Sequence, residues 1–168
     1  MGHEEHHAKA PQAVRLGVLS VSSTRTLQND QSGHWIAEQA RREGHNVQVH
    51  QVVPDDVGAI RRVLLQWLAH PAPDAIVVTG GTGISPKDVT IEAIKPLLAK
   101  ELTAFGPIFA QLSHAEIGAS ALLSRATAGV LGQALVFCLP GSLKACQLAC
   151  QRLIFPELGH LHMHTRES

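Results

Sequence analysis

Residues 74–88 of this 168-residue chain read Asp-Ala-Ile-Val-Val-Thr-Gly-Gly-Thr-Gly-Ile-Ser-Pro-Lys-Asp, and this stretch decides the fold. Its first six residues form a short apolar, β-branched run behind one Asp, which predicts a central, buried parallel strand. The glycines that follow, Gly80, Gly81 and Gly83, allow backbone N–H groups to approach an anion closely. Because ligands of open α/β sheets bind beyond the carboxyl ends of the strands, this turn is the first candidate binding loop.

The rest of the chain alternates short apolar runs with helical patterns. Further strands are predicted at 16–21, 47–53 and 134–139, and helices at 32–43, from Asp56 onward, at 90–97, at 102–117 and after Ser142, while 121–130 is predicted as a turn of helix followed by a strand. This order predicts one three-layer α/β/α domain with a mainly parallel sheet over residues 14–158. His-rich segments flank the domain: we expect a flexible segment at 1–13 and a solvated tail at 159–168.

Composition excludes several classes of function. Fourteen Lys and Arg residues balance fourteen Asp and Glu, so the basic excess of a duplex nucleic-acid binder is absent. Aromatic residues make up only 4% and Tyr is missing, which disfavours stacking of single-stranded nucleic acid. No apolar run approaches the roughly 20 residues of a membrane span, and the polar first residues lack the core of a secretory signal. Three cysteines in apolar contexts indicate buried, reduced thiols, and we expect a cytoplasmic protein.

Three more predicted strand ends carry polar residues of related chemistry. They are Ser22-Ser23-Thr24-Arg25, Pro54-Asp55-Asp56 and Pro140-Gly141-Ser142. Asp56 is explained as a helix N-cap, so Asp55 is the better candidate for a functional carboxylate. A carboxylate beside a phosphate-binding loop favours a divalent cation, and Asp55 with Asp88 could hold Mg²⁺ through water. Four such turns on one sheet edge predict a polyanionic ligand, while the absence of G-x-G-x-x-G disfavours a Rossmann-type dehydrogenase.

The segment 77–93 resembles the signature of the MoaB/MogA family of molybdenum cofactor biosynthesis proteins. Asp30-Gln31-Ser32-Gly33, Pro54-Asp55-Asp56, Leu123-Ser124-Arg125-Ala126 and Leu139-Pro140-Gly141-Ser142 follow the order found in that family. The similarity extends from about residue 16 to residue 156, and details at 105–118 and 144–146 resemble its MoaB branch more than its MogA branch. Pro107 and Ala110 depart from the pattern, since the family often has charged residues there.

The resemblance implies a molybdopterin-binding fold that assembles as a homotrimer or as a hexamer of two trimers. It implies transfer of AMP from Mg-ATP to the terminal phosphate of molybdopterin, with Asp55 and Asp88 as the catalytic, Mg²⁺-directed carboxylates. Other proteins of the molybdenum cofactor pathway are further candidate partners. The resemblance and the polar residues at the strand ends together predict a set of substrate- and nucleotide-binding residues: Ser22, Thr79, Gly80, Gly81, Thr82, Gly83, Pro140, Gly141 and Ser142.

Two functions stay open at this point. The first is the adenylyltransferase, which needs both carboxylates, and the second is a catalytically silent molybdopterin-binding or carrier protein, which needs only the loops. Retention of Asp55 and Asp88 favours the enzyme. The alternating His160, His162 and His164 could bind a transition metal, but at a chain end we interpret them as a solvated tail that binds metal adventitiously.

Overall fold

The computed structural model describes residues 13–70 and 72–167. The flexible segment predicted at 1–13 therefore lies, except for Ala13, outside the described residues. Val14 is already fully buried, and its N–H bonds the ring of His45, so the packed core begins where the described chain begins.

A six-stranded sheet forms the middle layer, in the order β2-β1-β3-β6-β5-β4. The first four strands in this order are parallel, β5 is antiparallel to β6, and β4 is antiparallel to β5. The strands are β1 (Arg15–Val21), β2 (Asn46–Val53), β3 (Ala75–Thr79), β4 (Lys100–Glu101), β5 (Thr127–Leu131) and β6 (Ala134–Leu139). The predicted mainly parallel α/β sheet is confirmed. The edge strand β4 was not predicted, because two residues are too few to leave a pattern in the sequence.

The reversal of direction at β5 comes from a tight turn. Gly132 adopts a φ of 63°, which a two-residue hairpin requires and which glycine reaches without a steric penalty. The segment predicted as a turn of helix followed by a strand is a 3₁₀ segment, Gly118–Leu123, and then β5.

Helices cover both faces of the sheet. They are α1 (Gln31–Arg42), α2 (Val57–Ala69), α3 (Thr90–Ile94), α4 (Phe105–Ile117), α5 (Leu143–Ala149) and α6 (Phe155–Arg166), with a π-helical turn, Cys150–Ile154, joining the last two. Side chains of β3 alternate between the faces: Val77 packs among α1, α4, α5 and α6, while Ile76 and Val78 pack among α2 and α3. Two apolar cores on either side of one sheet give the three predicted layers.

All three cysteines are fully buried, as predicted. Burial raises the pKa of Cys138 to about 12 and that of Cys146 to about 11, so both thiols stay protonated. Cys146 Sγ also lies 3.1 Å from Thr79 Oγ1, directly below the candidate binding loop. These thiols are packing groups of the core.

The C-terminal segment corrects a prediction. Residues from 159 onward were expected to be a solvated tail, but α6 continues through Arg166. Arg166 Nη2 donates to Asp74 Oδ1 at 3.0 Å, His162 Nε2 lies 3.8 Å from the same atom, and Leu158 is fully buried. An acidic anchor at the start of β3 and an apolar contact thus hold the helix on the sheet. Among the helices of residues 13–70 and 72–167, none is long and apolar enough to cross a bilayer.

Candidate functional site

The four strand ends singled out in the sequence meet at one edge of the sheet. Strands β2, β1, β3 and β6 are successive neighbours and parallel, so the loops that follow them lie side by side. The Ser22 N–H donates to Val53 O at 2.8 Å, the Gly80 N–H to Leu139 O at 3.0 Å, and Thr79 Oγ1 to Pro140 O at 3.0 Å. The structure therefore brings the predicted binding residues together.

The glycine loop 80–83 tolerates no side chain at its first two positions. Gly80 and Gly81 have φ values of 97° and 66°, a region that disfavours L side chains. A Cβ on Gly80 would collide with Val21 O, and one on Gly81 would collide with Thr90 Oγ1. Thr90 anchors the loop: its hydroxyl donates to Gly80 O at 2.7 Å and its N–H donates to Gly81 O at 2.9 Å.

Asp55 is oriented toward this loop by Ser23. Asp55 Oδ2 accepts from the Ser23 N–H and from its hydroxyl, both at 2.7 Å, while the Asp55 N–H donates to Ser23 Oγ at 3.0 Å. The other carboxylate oxygen lies 3.3 Å from the point where a Cβ of Gly81 would be. Sequence reasoning missed this role of Ser23; its only signal was the repeated serine at the end of β1.

Asp88 lies against the other end of the same loop. Its Oδ2 accepts from the Ser85 N–H at 2.9 Å and lies 2.7 Å from the point where a Cβ of Gly83 would be. Both candidate carboxylates, Asp55 and Asp88, are half-buried and therefore reachable from solvent. The two thus flank Gly81, Thr82 and Gly83, three consecutive backbone units that can offer N–H donors, whereas the Gly80 N–H already donates to Leu139 O.

The donor set at this loop fits Mg²⁺. Carboxylate oxygens are hard ligands, and proteins bind Mg²⁺ through one or two of them with water and substrate oxygens completing the octahedron. Within the described part of the chain, no group of three or more His, Cys, Asp or Glu residues is placed to hold a metal. Mg²⁺ here would thus depend on Asp55, Asp88, water and a bound phosphate, as in the prediction.

The fourth strand end packs on the glycine loop. A Cβ on Gly141 would lie 3.2 Å from the Gly80 Cα, so small residues are needed on both sides. Gly141 O accepts from Ser32 Oγ at 2.9 Å and from Arg25 Nη1 at 3.2 Å, which places one guanidinium beside the loops. Ser142 has a structural role as well, since its Oγ accepts from the Ala145 N–H and caps α5.

A cleft of about 360 Å³ opens between the loops after β1 and β2 and is lined by Ser22, Ser23, Arg25, His50 and Pro54, among others. The predicted residue Ser22 therefore faces a space large enough for part of a nucleotide or pterin. Its rim carries hydroxyls and one cation, the groups that phosphate recognition requires.

A buried carboxylate holds this side of the site together. Asp30 Oδ1 accepts from the Gly33 N–H at 3.1 Å and caps α1, while its Oδ2 contacts His50 Nε2 at 2.7 Å and accepts from the Ser20 hydroxyl. Burial raises the pKa of Asp30, but hydrogen bonds from His50, Ser20 and Gly33 outweigh it and lower the pKa below its ordinary value. No local pattern in the sequence connects Asp30 with His50, because Asp30 precedes α1 and His50 lies on β2.

Arg125 also lies at the site. The sequence analysis included it in a family motif but predicted no role for its side chain. Its Nε donates to Thr82 O at 2.8 Å and its Nη1 bonds Glu92 Oε1 at 2.8 Å. It also lines a cleft of about 390 Å³ together with Pro107 and Ala110. The two departures from the family pattern therefore lie beside a cation that holds the glycine loop.

Comparison with known proteins assigns the family. A profile described as a probable molybdopterin binding domain matches residues 17–160. Molybdenum cofactor biosynthesis protein B of Bacillus subtilis is 44% identical over 168 residues, which is 99% of each chain. A crystal structure of a molybdenum cofactor biosynthesis protein B superposes with a TM-score of 0.91 at 41% identity, covering 95% of this chain and all of the other.

A second solved structure carries a related name. The tungsten cofactor synthesizing protein MoaB from Pyrococcus furiosus superposes with a TM-score of 0.84 at 38% identity, covering 94% of this chain and all of that one. The fold, the position of the site at the strand ends and the sequence similarity over nearly the full length all lead to the same family. The chain belongs to the molybdopterin-binding MoaB/MogA family of molybdenum cofactor biosynthesis proteins.

Proposed function

We propose that this protein binds molybdopterin and transfers AMP from Mg-ATP to its terminal phosphate, with release of pyrophosphate. The observation that supports the enzyme is the pair Asp55 and Asp88, which flank one glycine loop at the shared edge of four strands. Family membership supplies the pterin as substrate. The names of its relatives point to molybdenum or tungsten cofactor synthesis as the pathway, whose other proteins are candidate partners.

In the proposed reaction an oxygen of the pterin phosphate attacks the α-phosphorus of ATP. The new phosphorus–oxygen bond replaces the bond to the departing pyrophosphate, so atoms and charge balance. Negative charge accumulates on the transferring group, and the chain stabilises it with the N–H groups of residues 81–83 and the guanidinium of Arg25. Asp55 and Asp88 would hold Mg²⁺, which supplies positive charge next to the phosphates when bound.

The second candidate function is a binding or carrier protein without turnover. It rests on a specific observation: each carboxylate also has a local hydrogen-bonding role, Asp55 with Ser23 and Asp88 with Ser85. Loop structure alone would then account for both residues, and the loops would still accept the pterin phosphate.

The variant Asp88→Asn separates the two functions. Asparagine keeps an oxygen that can accept the Ser85 N–H, so the loop persists while the charge directed to Mg²⁺ is lost. We expect release of pyrophosphate and formation of adenylylated molybdopterin to fall by at least about a hundredfold, whereas molybdopterin binding is retained.

Asp56→Asn is the matched control, because Asp56 caps α2 from the same strand-end turn as Asp55 and asparagine caps equally well. Its turnover should equal that of the wild type. Normal turnover of Asp88→Asn would refute the metal-directed role. A wild-type protein that binds molybdopterin but never consumes ATP would leave the carrier function in its place.

We also propose that the protein is a homo-oligomer, a trimer or a hexamer, as the family resemblance implies. Exposed apolar side chains at the end of α4 and just beyond it support this proposal: Ile117, Leu122 and Leu123 are 49%, 86% and 54% exposed. Large apolar side chains exposed near one another in the chain are typical of surfaces that another subunit covers.

A further inference from the structure

A buried carboxylate fixes one side of the His50 ring, on β2. Asp30 is fully buried; its Oδ2 lies 2.7 Å from His50 Nε2 and accepts from the Ser20 hydroxyl, while its Oδ1 accepts from the Gly33 N–H. Burial raises the pKa of Asp30, but these hydrogen bonds outweigh burial and lower it, so the carboxylate is ionised at neutral pH. An ionised carboxylate only accepts hydrogen bonds, and His50 Nε2 therefore carries a proton.

The other nitrogen of the His50 ring is open to a ligand. Within the part of the chain that the structure describes, Nδ1 has no hydrogen-bond partner, yet the atom is not sealed from solvent. The ring of His34 packs against His50 edge to face, with centroids 5.0 Å apart, and His34 Nε2 in turn bonds Leu27 O at 2.7 Å. The His50 ring is thus held from two sides, and in its neutral form Nδ1 presents a lone pair.

His50 lines the cleft of about 360 Å³ between the loops after β1 and β2. Three apolar residues share this lining: Leu27, Val52 and Pro54. Ser23 also lines the cleft, and its hydroxyl donates to Asp55 Oδ2 at 2.7 Å, so the cleft opens beside a candidate carboxylate of the strand-end site. Apolar walls with one oriented acceptor suit the ring system of a ligand that carries an N–H or O–H donor.

We propose that His50 is a ligand-binding residue of this cleft, and that its Nδ1 accepts a hydrogen bond from a neutral N–H or O–H group of the substrate whose ring system enters there. The inference rests on the proposed function, which supplies two such substrates, since the adenosine part of ATP and the pterin both carry amino groups. A phosphate offers only acceptors and negative charge, so the lone pair repels it, and the phosphates lie instead at Arg25 and the glycine loop. Asp30 is a positioning residue, because its hydrogen bond selects the tautomer and orients the ring.

The tautomer is measured first, on the full chain labelled with ¹⁵N in its histidine rings. Nitrogen NMR distinguishes a protonated ring nitrogen from an unprotonated one, and the His50 signals are those missing from the spectrum of His50→Gln. At about pH 8, where an ordinary imidazole is neutral, we expect a protonated Nε2 and an unprotonated Nδ1. Saturating AMP, which carries the adenosine part of ATP, or saturating molybdopterin should shift the Nδ1 resonance. A proton on Nδ1 before ligand is added, or an Nδ1 resonance that neither ligand moves, would overturn the proposal.

Isothermal titration of the same two ligands then tests the contact. In His50→Gln the amide N–H can still donate to Asp30, so the fold persists, but no acceptor remains at the position of Nδ1. This variant should bind one of the ligands about five- to tenfold more weakly, and the ligand affected, AMP or molybdopterin, identifies the ring system that occupies the cleft. His114→Gln, the same change at an exposed position on α4, is the matched control and should bind both ligands as the wild type does.

Analogues remove the donor from the ligand instead. If AMP is the ligand affected, one of 2′-deoxy-AMP, 3′-deoxy-AMP and inosine monophosphate should bind the wild type about five- to tenfold more weakly than AMP does, and should bind His50→Gln equally well. Circular dichroism checks that each variant keeps its helices. Equal affinity of the wild type and His50→Gln for both ligands would overturn this inference and leave the proposed function intact. A wild type that shows the expected contacts but never consumes ATP would refute only the transfer reaction.

Discussion

Replacing Gly81 by alanine should destabilise the protein by about 2–4 kcal/mol, and most of that loss should come from one contact with Thr90. At a φ of 66° the added Cβ costs about 1 kcal/mol, since the left-handed region disfavours alanine while alanine also restricts the unfolded chain. The Cβ would also collide with Thr90 Oγ1 and displace it from Gly80 O. Breaking that buried hydrogen bond adds about 1–3 kcal/mol.

Gly132 provides the matched control. Its φ is 63°, close to that of Gly81, and a Cβ added there would meet nothing within 4 Å. Gly132→Ala therefore carries the backbone penalty alone and should cost about 1 kcal/mol. The difference between the two variants measures the contacts that the added Cβ of Gly81→Ala makes, of which the contact with Thr90 Oγ1 is the shortest.

The assay is equilibrium urea unfolding followed by the fluorescence of Trp35 and Trp67, at one fixed protein concentration because assembly shifts apparent stability. In a Thr90→Ala background the hydroxyl is gone, and the cost of Gly81→Ala should fall to that of Gly132→Ala. The reasoning fails if Gly81→Ala and Gly132→Ala differ by less than about 0.5 kcal/mol, which is the scatter expected for independent sites.

Two further predictions concern charge and assembly. Burial raises the pKa of Asp74, but hydrogen bonds from the side chain and backbone of Arg15 outweigh it and lower the pKa from 3.8 to about 2. The stabilisation is complete above pH 3.8 and disappears as pH falls through 2, so the free energy of unfolding of the wild type should drop by about 2 kcal/mol more over this window than that of Asp74→Asn. Urea titrations at pH 2 to 5 measure this, and parallel curves for the two proteins would contradict it. Static light scattering should report a trimer or hexamer at micromolar concentration, and a monomer there would count against the proposed assembly.

Local patterns in the sequence determined the main helices and strands, though not the two-residue β4, and the edge of the sheet at which the site lies. The apolar run of β3 identifies a central strand, and the alternation of strands and helices identifies the layers. Asp56 was correctly identified as a helix cap, and its hydrogen bond to the Ala59 N–H needs only three residues of chain. Strands, helices and helix caps depend on residues close together in the sequence, because the backbone geometry there determines which groups can come into contact.

Only the tertiary structure decided which side chains meet across the sheet. Ser23 and Asp55 are 32 residues apart, and Asp30 and His50 are 20 apart, yet each pair shares a hydrogen bond. These contacts follow from the order and register of β1 and β2, which no short pattern encodes. The position of the final turns of α6 also could not be predicted from the sequence. Their polar residues predict solvent exposure, but in the folded chain Arg166 bonds Asp74, which is 92 residues away in the sequence. Short-range propensity sets the elements, whereas the pairing of distant strands sets the chemistry at their ends.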